Sequence, residues 1–182
     1  MINIKETSMN GLTALKQALA KSAEVPKVLL DKIVYDGDND DLLYEILFPI
    51  LAWDSQNDYQ SFDDGQFMEY MEWKEPYLNF DNFFMIKKRQ LTINTDDIFD
   101  DYAQEVGDED VMDEMDFFKA CELHRQYCFN YFNKKLAPHQ LRLIELGENE
   151  NAYFLLVNDD EKQIKELTHA FERFGISVIL EQ

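Results

Sequence analysis

The last 42 residues constrain the fold more than any other stretch of this 182-residue chain. "QLRLIEL" and "AYFLLV" are two apolar, β-prone runs joined by the turn-forming "GENEN", and they read as a hairpin. The segment "DDEKQIKELTHAFERFG" then lays Ile164, Leu167, Phe171 and Phe174 on one helical stripe, with Asn158 or Asp159 capping its start and Gly175 closing its end. "ISVIL" reads as a final strand. Strand, helix and strand in this order imply a parallel pair with a right-handed crossover, which would make the C-terminal part a small mixed sheet with a helix on one face.

Upstream, helices dominate. Residues 10–22 carry Leu12, Leu15 and Leu19 on one stripe behind Asn10 as a candidate N-cap, and Pro26 opens a short helix in "PKVLLDKIVY". "LLYEILFPILAWD" has helical spacing, but Pro49 predicts an end or kink near Phe48. "QFMEYMEWKE" reads as a further short helix, and "FFMIKKRQLTINT" as a strand ending at Thr95, a candidate cap for the acidic segment that begins at Asp96. From Asp108 to about Lys135 no Gly or Pro intervenes, and Phe117, Phe118, Cys121, Cys128, Phe129 and Phe132 share one broad face of a long helix that "LAPH" ends. The expected fold is α+β: one domain over residues 1–182, helix-rich over 1–136 and β-hairpin–α–β over 139–182, with N-terminal and central helices packed on a small mixed C-terminal β-sheet.

Charge is the second constraint. The chain carries 37 Asp and Glu against 17 Lys and Arg, a net charge of −20, yet 14% of its residues are aromatic, a content that argues for a packed core rather than a disordered acidic chain. Residues 1–35 hold five Lys against three acids, residues 36–116 hold 24 acids against four bases, and residues 117–182 hold ten acids against eight bases. The middle segment therefore accounts for the whole net charge. Such a field disfavours nucleic acid and anionic membranes, which require a basic footprint, and it steers basic partners instead. Apolar runs such as "ILFPILAW" fall well short of the about 18 residues a membrane span needs. Cys121 and Cys128 are seven apart on a helix, about 10 Å along its face, too far for a disulfide. With an N-terminus "MINIKETSMNGL" that lacks signal-peptide character, this points to a reducing, cytoplasmic setting.

Motifs for chemistry are weak. "DGDNDD" begins like a calcium loop with Asp36, Asp38 and Asp40, but Asp41 stands where the sharp turn requires Gly and Leu47 where a bidentate Glu is needed. Cys121, His124 and Cys128 share a helical face, yet His139 and His169 supply no second cluster for a four-ligand zinc site. There is no nucleophile elbow and no Gly-rich phosphate loop, and 37 acids make any chosen carboxylate pair uninformative. No cofactor or metal is expected. A small metal-dependent hydrolase using carboxylates of the middle segment is the alternative from another class, and a constitutive subunit of a larger assembly is a third.

The densest acidic run, "DDIFDDYAQEVGDEDVMDEMD" over residues 96–116, has eleven carboxylates and no Lys or Arg. Acids at helix starts gain about 0.3 to 1 kcal/mol each from the dipole, which covers Asp96, Asp97, Asp108, Glu109 and Asp110. The rest repel one another, so the run is a solvated face, a segment ordered on binding, or a partner surface. The partner reading places apolar anchors inside an electronegative rim and selects Asp96, Asp97, Phe99, Asp100, Asp101, Tyr102, Asp108, Glu109, Asp110, Met112, Asp113, Glu114 and Asp116 as the binding residues.

The combination of a very acidic α+β chain with "IELGENENAYFLLV", a helix and "ISVILEQ" at its end resembles bacterial toxin-immunity proteins, including those of contact-dependent inhibition systems. The resemblance rests on overall style and about 40 C-terminal residues, and it carries no residue roles. It implies a non-enzymatic protein that neutralises a cognate basic toxin, such as a nuclease, by covering an essential surface.

Overall fold

The computed structural model describes residues 4–35, 42–52, 66–71, 78–105, 117–147 and 152–180. Helices α1 (Ile4–Ser22) and α2 (Lys27–Leu30) lead into a π-helical turn (Leu42–Leu47) continued by α3 (Phe48–Leu51). Strand β1 (Met68–Met71), a 3-10 turn (Phe80–Asn82), α4 (Phe84–Arg89), α5 (Ile98–Glu105) and the long α6 (Phe117–Leu136) come next. The chain closes with β2 (Leu141–Leu146), β3 (Ala152–Asn158), α7 (Glu161–Glu172) and β4 (Val178–Ile179).

The fold is α+β, with a four-stranded sheet in the order β1-β3-β2-β4. The hairpin pairs Leu141 with Asn158 through Leu146 with Tyr153, and β4 adds to β2 through Glu145–Ile179 and Leu146–Val178. All three ladders are antiparallel, which corrects the mixed sheet expected from the strand–helix–strand order. The crossover does return β4 in the direction of β3, but it spans one strand further, leaving β2 between the two. Parallel pairing is confined to isolated bridges, Ala52 with Met68 and Gln66 with Phe83.

Both faces of the sheet are covered, which explains why Leu143, Ile144, Leu146, Phe154, Leu155, Leu156 and Val157 are buried without polar alternation. On one face Ile144, Leu146, Leu155 and Val157 meet Leu15 and Leu19 of α1 and Ile164, Leu167 and Phe171 of α7. On the other, Leu141, Leu143, Phe154 and Leu156 meet Phe129, Phe132 and Leu136 of α6 and Phe83 and Ile86 from the α4 region. Phe129 stacks on Phe154 at 5.7 Å between ring centroids, which fixes α6 over the middle of the sheet.

Several local expectations meet tertiary override. α1 begins at Ile4, so Asn10 lies inside the helix rather than capping it. "MEYM" is a strand, because β3 offers an edge that captures it: Met68 pairs with Leu155 and Met71 with Ala152. "FFMIKKR" is a helix that ends where Gln90 turns left-handed (φ 53°) and Leu91 N–H reaches the Ile86 carbonyl. The expected break at Phe48 is present as the change from π to α geometry, with Pro49 in the first turn of α3. Asp160, rather than Asn158 or Asp159, caps α7 by accepting from Gln163 N–H at 2.9 Å.

Where α1 crosses α7, Gly11 lets the Phe174 ring approach; a Cβ there would stand 3.3 Å from Cζ. Alanine removes the backbone-entropy cost of a helical glycine, about 0.5 to 1 kcal/mol, and the half-exposed ring edge can pivot aside. Gly11→Ala is therefore expected to raise the thermal midpoint by about 1 to 2 °C, and Gly11→Leu, which the ring cannot avoid, to lower it, both read by circular-dichroism melts.

Candidate partner-binding face

The described half of the acidic run forms α5 and the turn before it. Asn94 Oδ1 accepts from Asp96 N–H at 2.9 Å, so Asn94 rather than Thr95 organises the entry, and the Asp97 carbonyl accepts from Asp101 N–H at 3.0 Å. Ile98 is buried, and α5 packs on the C-terminal half of α6.

Two carboxylates one turn apart on this segment meet two phenols one turn apart on α6. Tyr131 OH donates to Asp97 Oδ1, and Tyr127 OH donates to Asp101 Oδ2 at 3.0 Å. Lys135 Nζ holds both Asp97 oxygens at 2.9 Å while standing 5.0 Å over the Tyr131 ring. The hydrogen bonds from Tyr131 and Lys135 keep the Asp97 carboxyl below the usual carboxylate range. Burial, reinforced by the bond to Asp97, pushes the Tyr131 phenol up to about 12. The rings pack as well: Tyr102 lies edge-on to Tyr127 at 4.8 Å, and Tyr127 stacks with Tyr131 at 6.0 Å.

The acids expected to bind a partner thus divide. Asp97 and Asp101 are tied to α6, Asp96 and Asp100 are exposed, and Tyr102 is half-buried against Tyr127. Phe99 lies within α5, while Asp108, Glu109, Asp110, Met112, Asp113, Glu114 and Asp116 lie outside the described residues. The partners Tyr127, Tyr131 and Lys135 were not selected by charge counting. Their signal was a Tyr pair at the same i, i+4 spacing as the Asp pair.

Along α6, Leu123, Gln126, Tyr127, Asn130, Tyr131 and Lys134 form one stripe, and Asp101 walls it on the α5 side. Together they enclose an open groove of about 290 Å³.

Other polar groups lie beneath α6 and at the sheet edges. Glu69 on β1 and Glu145 on β2 both stand opposite Phe154 of β3, on the face that α6 covers. Glu145 is buried with Arg125 Nη1 3.5 Å from Oε1. Glu69 accepts from Gln66 Nε2 at 2.8 Å, and its burial pushes its carboxyl up to about 7. Cys128 is fully buried, and that burial pushes its thiol up to about 12, away from reactive thiolate character. The side chains of Cys121 and His124, and the "DGDNDD" loop, lie outside what is described; among the described residues no group of three or more His, Cys, Asp or Glu could hold a metal ion. No described helix is long and apolar enough to cross a membrane.

Comparison with protein-family models, curated proteins and solved structures finds no match to this chain.

Proposed function

We propose that this chain is a non-enzymatic binding protein that neutralises a basic partner, a toxin domain in the manner of bacterial immunity proteins, through an electronegative face to which α5 belongs. The observation that carries the reading is the division of labour within α5 and the turn before it. Asp97 and Asp101 fasten the segment to α6, so that Asp96 and Asp100 are held out on an ordered element inside the segment that contains the whole net charge. An ordered acidic face loses little conformational freedom on association, and its field accelerates encounter with a basic surface.

The test is charge reversal confined to the outward acids. Asp96→Lys with Asp100→Lys should weaken the complex with the cognate basic toxin domain by about 50- to 100-fold and flatten its salt dependence. The thermal midpoint should stay within about 2 °C, since neither residue is buried. Asp101 is left unchanged because Tyr127 donates to it. A complex of unaltered affinity and salt dependence would overturn the reading.

A further inference from the structure

The contact between α5 and α6 repeats itself after one turn. In the first unit, the Asp97 carboxylate accepts a hydrogen bond from the Tyr131 phenol, and a cation, Lys135, completes the cluster by pairing with Asp97 and lying over the Tyr131 ring. In the second unit, the Asp101 carboxylate accepts a hydrogen bond from the Tyr127 phenol, and the same two rings continue beside it. Here the side of the unit away from α5 opens on the groove lined by Leu123, Gln126, Asn130 and Lys134.

From this juxtaposition we infer that the groove receives an arginine side chain of the basic partner, its guanidinium pairing with Asp101 beside the tyrosine rings as Lys135 pairs with Asp97 one turn away. The inference rests on the binding role proposed above and names what the face recognises. Tyr127 engages one oxygen of Asp101, and a carboxylate has about four lone-pair directions in all, so the group can accept from a guanidinium as well. A volume of about 290 Å³ lies at the lower edge of small-molecule pockets and suits one long side chain rather than a cofactor. Arginine is favoured over lysine because its planar fork pairs with carboxylate while its face packs on aromatic rings. Lys134 at the rim opposes any cation, so the groove discriminates by geometry rather than by charge alone.

Octa-arginine and octa-lysine serve as probes on the full chain. Octa-arginine is expected to shift the ring resonances of Tyr127 and Tyr131 in NMR titrations and to bind about tenfold tighter than octa-lysine, with Asp101→Asn removing most of that difference. Gln126→Trp, which fills the groove without touching the contact between Asp101 and Tyr127, should remove it too and guards against a folding defect in Asp101→Asn. If octa-arginine binds, Asp96→Lys with Asp100→Lys weakens it, but the tyrosine signals stay still and both groove variants bind like wild type, the groove assignment falls while the acidic-face reading stands. If neither peptide binds saturably at low salt, both fall.

Discussion

Arg89→Ala is expected to destabilise the protein by about 2 to 3 kcal/mol and to lower its thermal midpoint by about 5 to 10 °C. Arg89 sits at the end of α4 and joins three other parts of the chain: it donates to Glu24 Oε1 at 2.9 Å, to Asn158 Oδ1 at the end of β3, and to the His139 carbonyl at 3.4 Å. Glu24 follows α1 in the left-handed region (φ 56°), a conformation that favours glycine. Its backbone closes α1, with Val25 N–H on the Leu19 carbonyl, and Lys88 takes its second carboxylate oxygen. Burial raises the Glu24 carboxyl, but the bonds from Lys88 and Arg89 outweigh that and leave it lowered. A lowered carboxyl contributes stability that is present above its ordinary pKa and lost as pH falls through the folded value. The variant should therefore lose part of the stability that wild type gains on raising the pH from the acid side. Partial exposure of Arg89 and Glu24, 29% and 24%, lets water replace some donors and keeps the cost below that of a fully buried pair. Arg89→Lys should recover little, since one ammonium cannot reach three acceptors. Urea unfolding checks the size, and a variant within 0.5 kcal/mol of wild type, the scatter of ordinary surface substitutions at about ±0.5 kcal/mol, would refute the account.

Glu69→Gln is expected to have the opposite sign at alkaline pH. Burial raises the Glu69 carboxyl to about 7, and the hydrogen bonds from Asn79 N–H and Gln66 only partly offset it. A raised folded pKa means that the favourable contribution is full below the ordinary value of 4.5 and is lost as pH rises toward 7. At 1.36 kcal/mol per pH unit, wild type should lose about 2 to 3 kcal/mol through this group between pH 4.5 and 8. Glutamine keeps one acceptor oxygen for these donors and has no charge to desolvate, so the variant should be the more stable at pH 8 and show a flatter profile. Urea midpoints at half-unit steps check this; parallel wild-type and variant curves would refute it.

How much of the fold was legible in the sequence varies along the chain with the locality of the forces. The hairpin, α7 and the closing strand were legible because turn residues, a strong apolar stripe and Gly175 (φ 72°) act within a few residues of one another. The direction of neighbouring strands was not, since nothing local says that β4 docks beside β2 rather than β3. β1 and α4 exchanged character for a related reason: Met68–Met71 answers to an edge about 85 residues away, and Phe84–Arg89 to the aromatic cluster around Phe83 and Phe132, both of which outweigh intrinsic preferences worth about 1 kcal/mol over a segment. In the acidic segment, composition located the charge but not its division. Asp97 and Asp101 differ from Asp96 and Asp100 only in facing Tyr131 and Tyr127, which depends on how α5 lies on α6.

The sheet also limits the ways in which another chain can attach. On β2, beyond the Glu145–Ile179 pair, Leu143 N–H donates to Asn133 Oδ1 at 2.7 Å, and Asn133 Nδ2 returns a bond to the Leu143 carbonyl at 3.2 Å. The side-chain amide of α6 thus imitates one residue of a neighbouring strand, and an intruding strand would have to evict it before it could extend the ladder. Recognition through helix surfaces leaves that ladder undisturbed. Outward positions on α5, such as exposed Asp100, can then be exchanged while the sheet and the carboxylate–phenol pairs beneath them stay as they are.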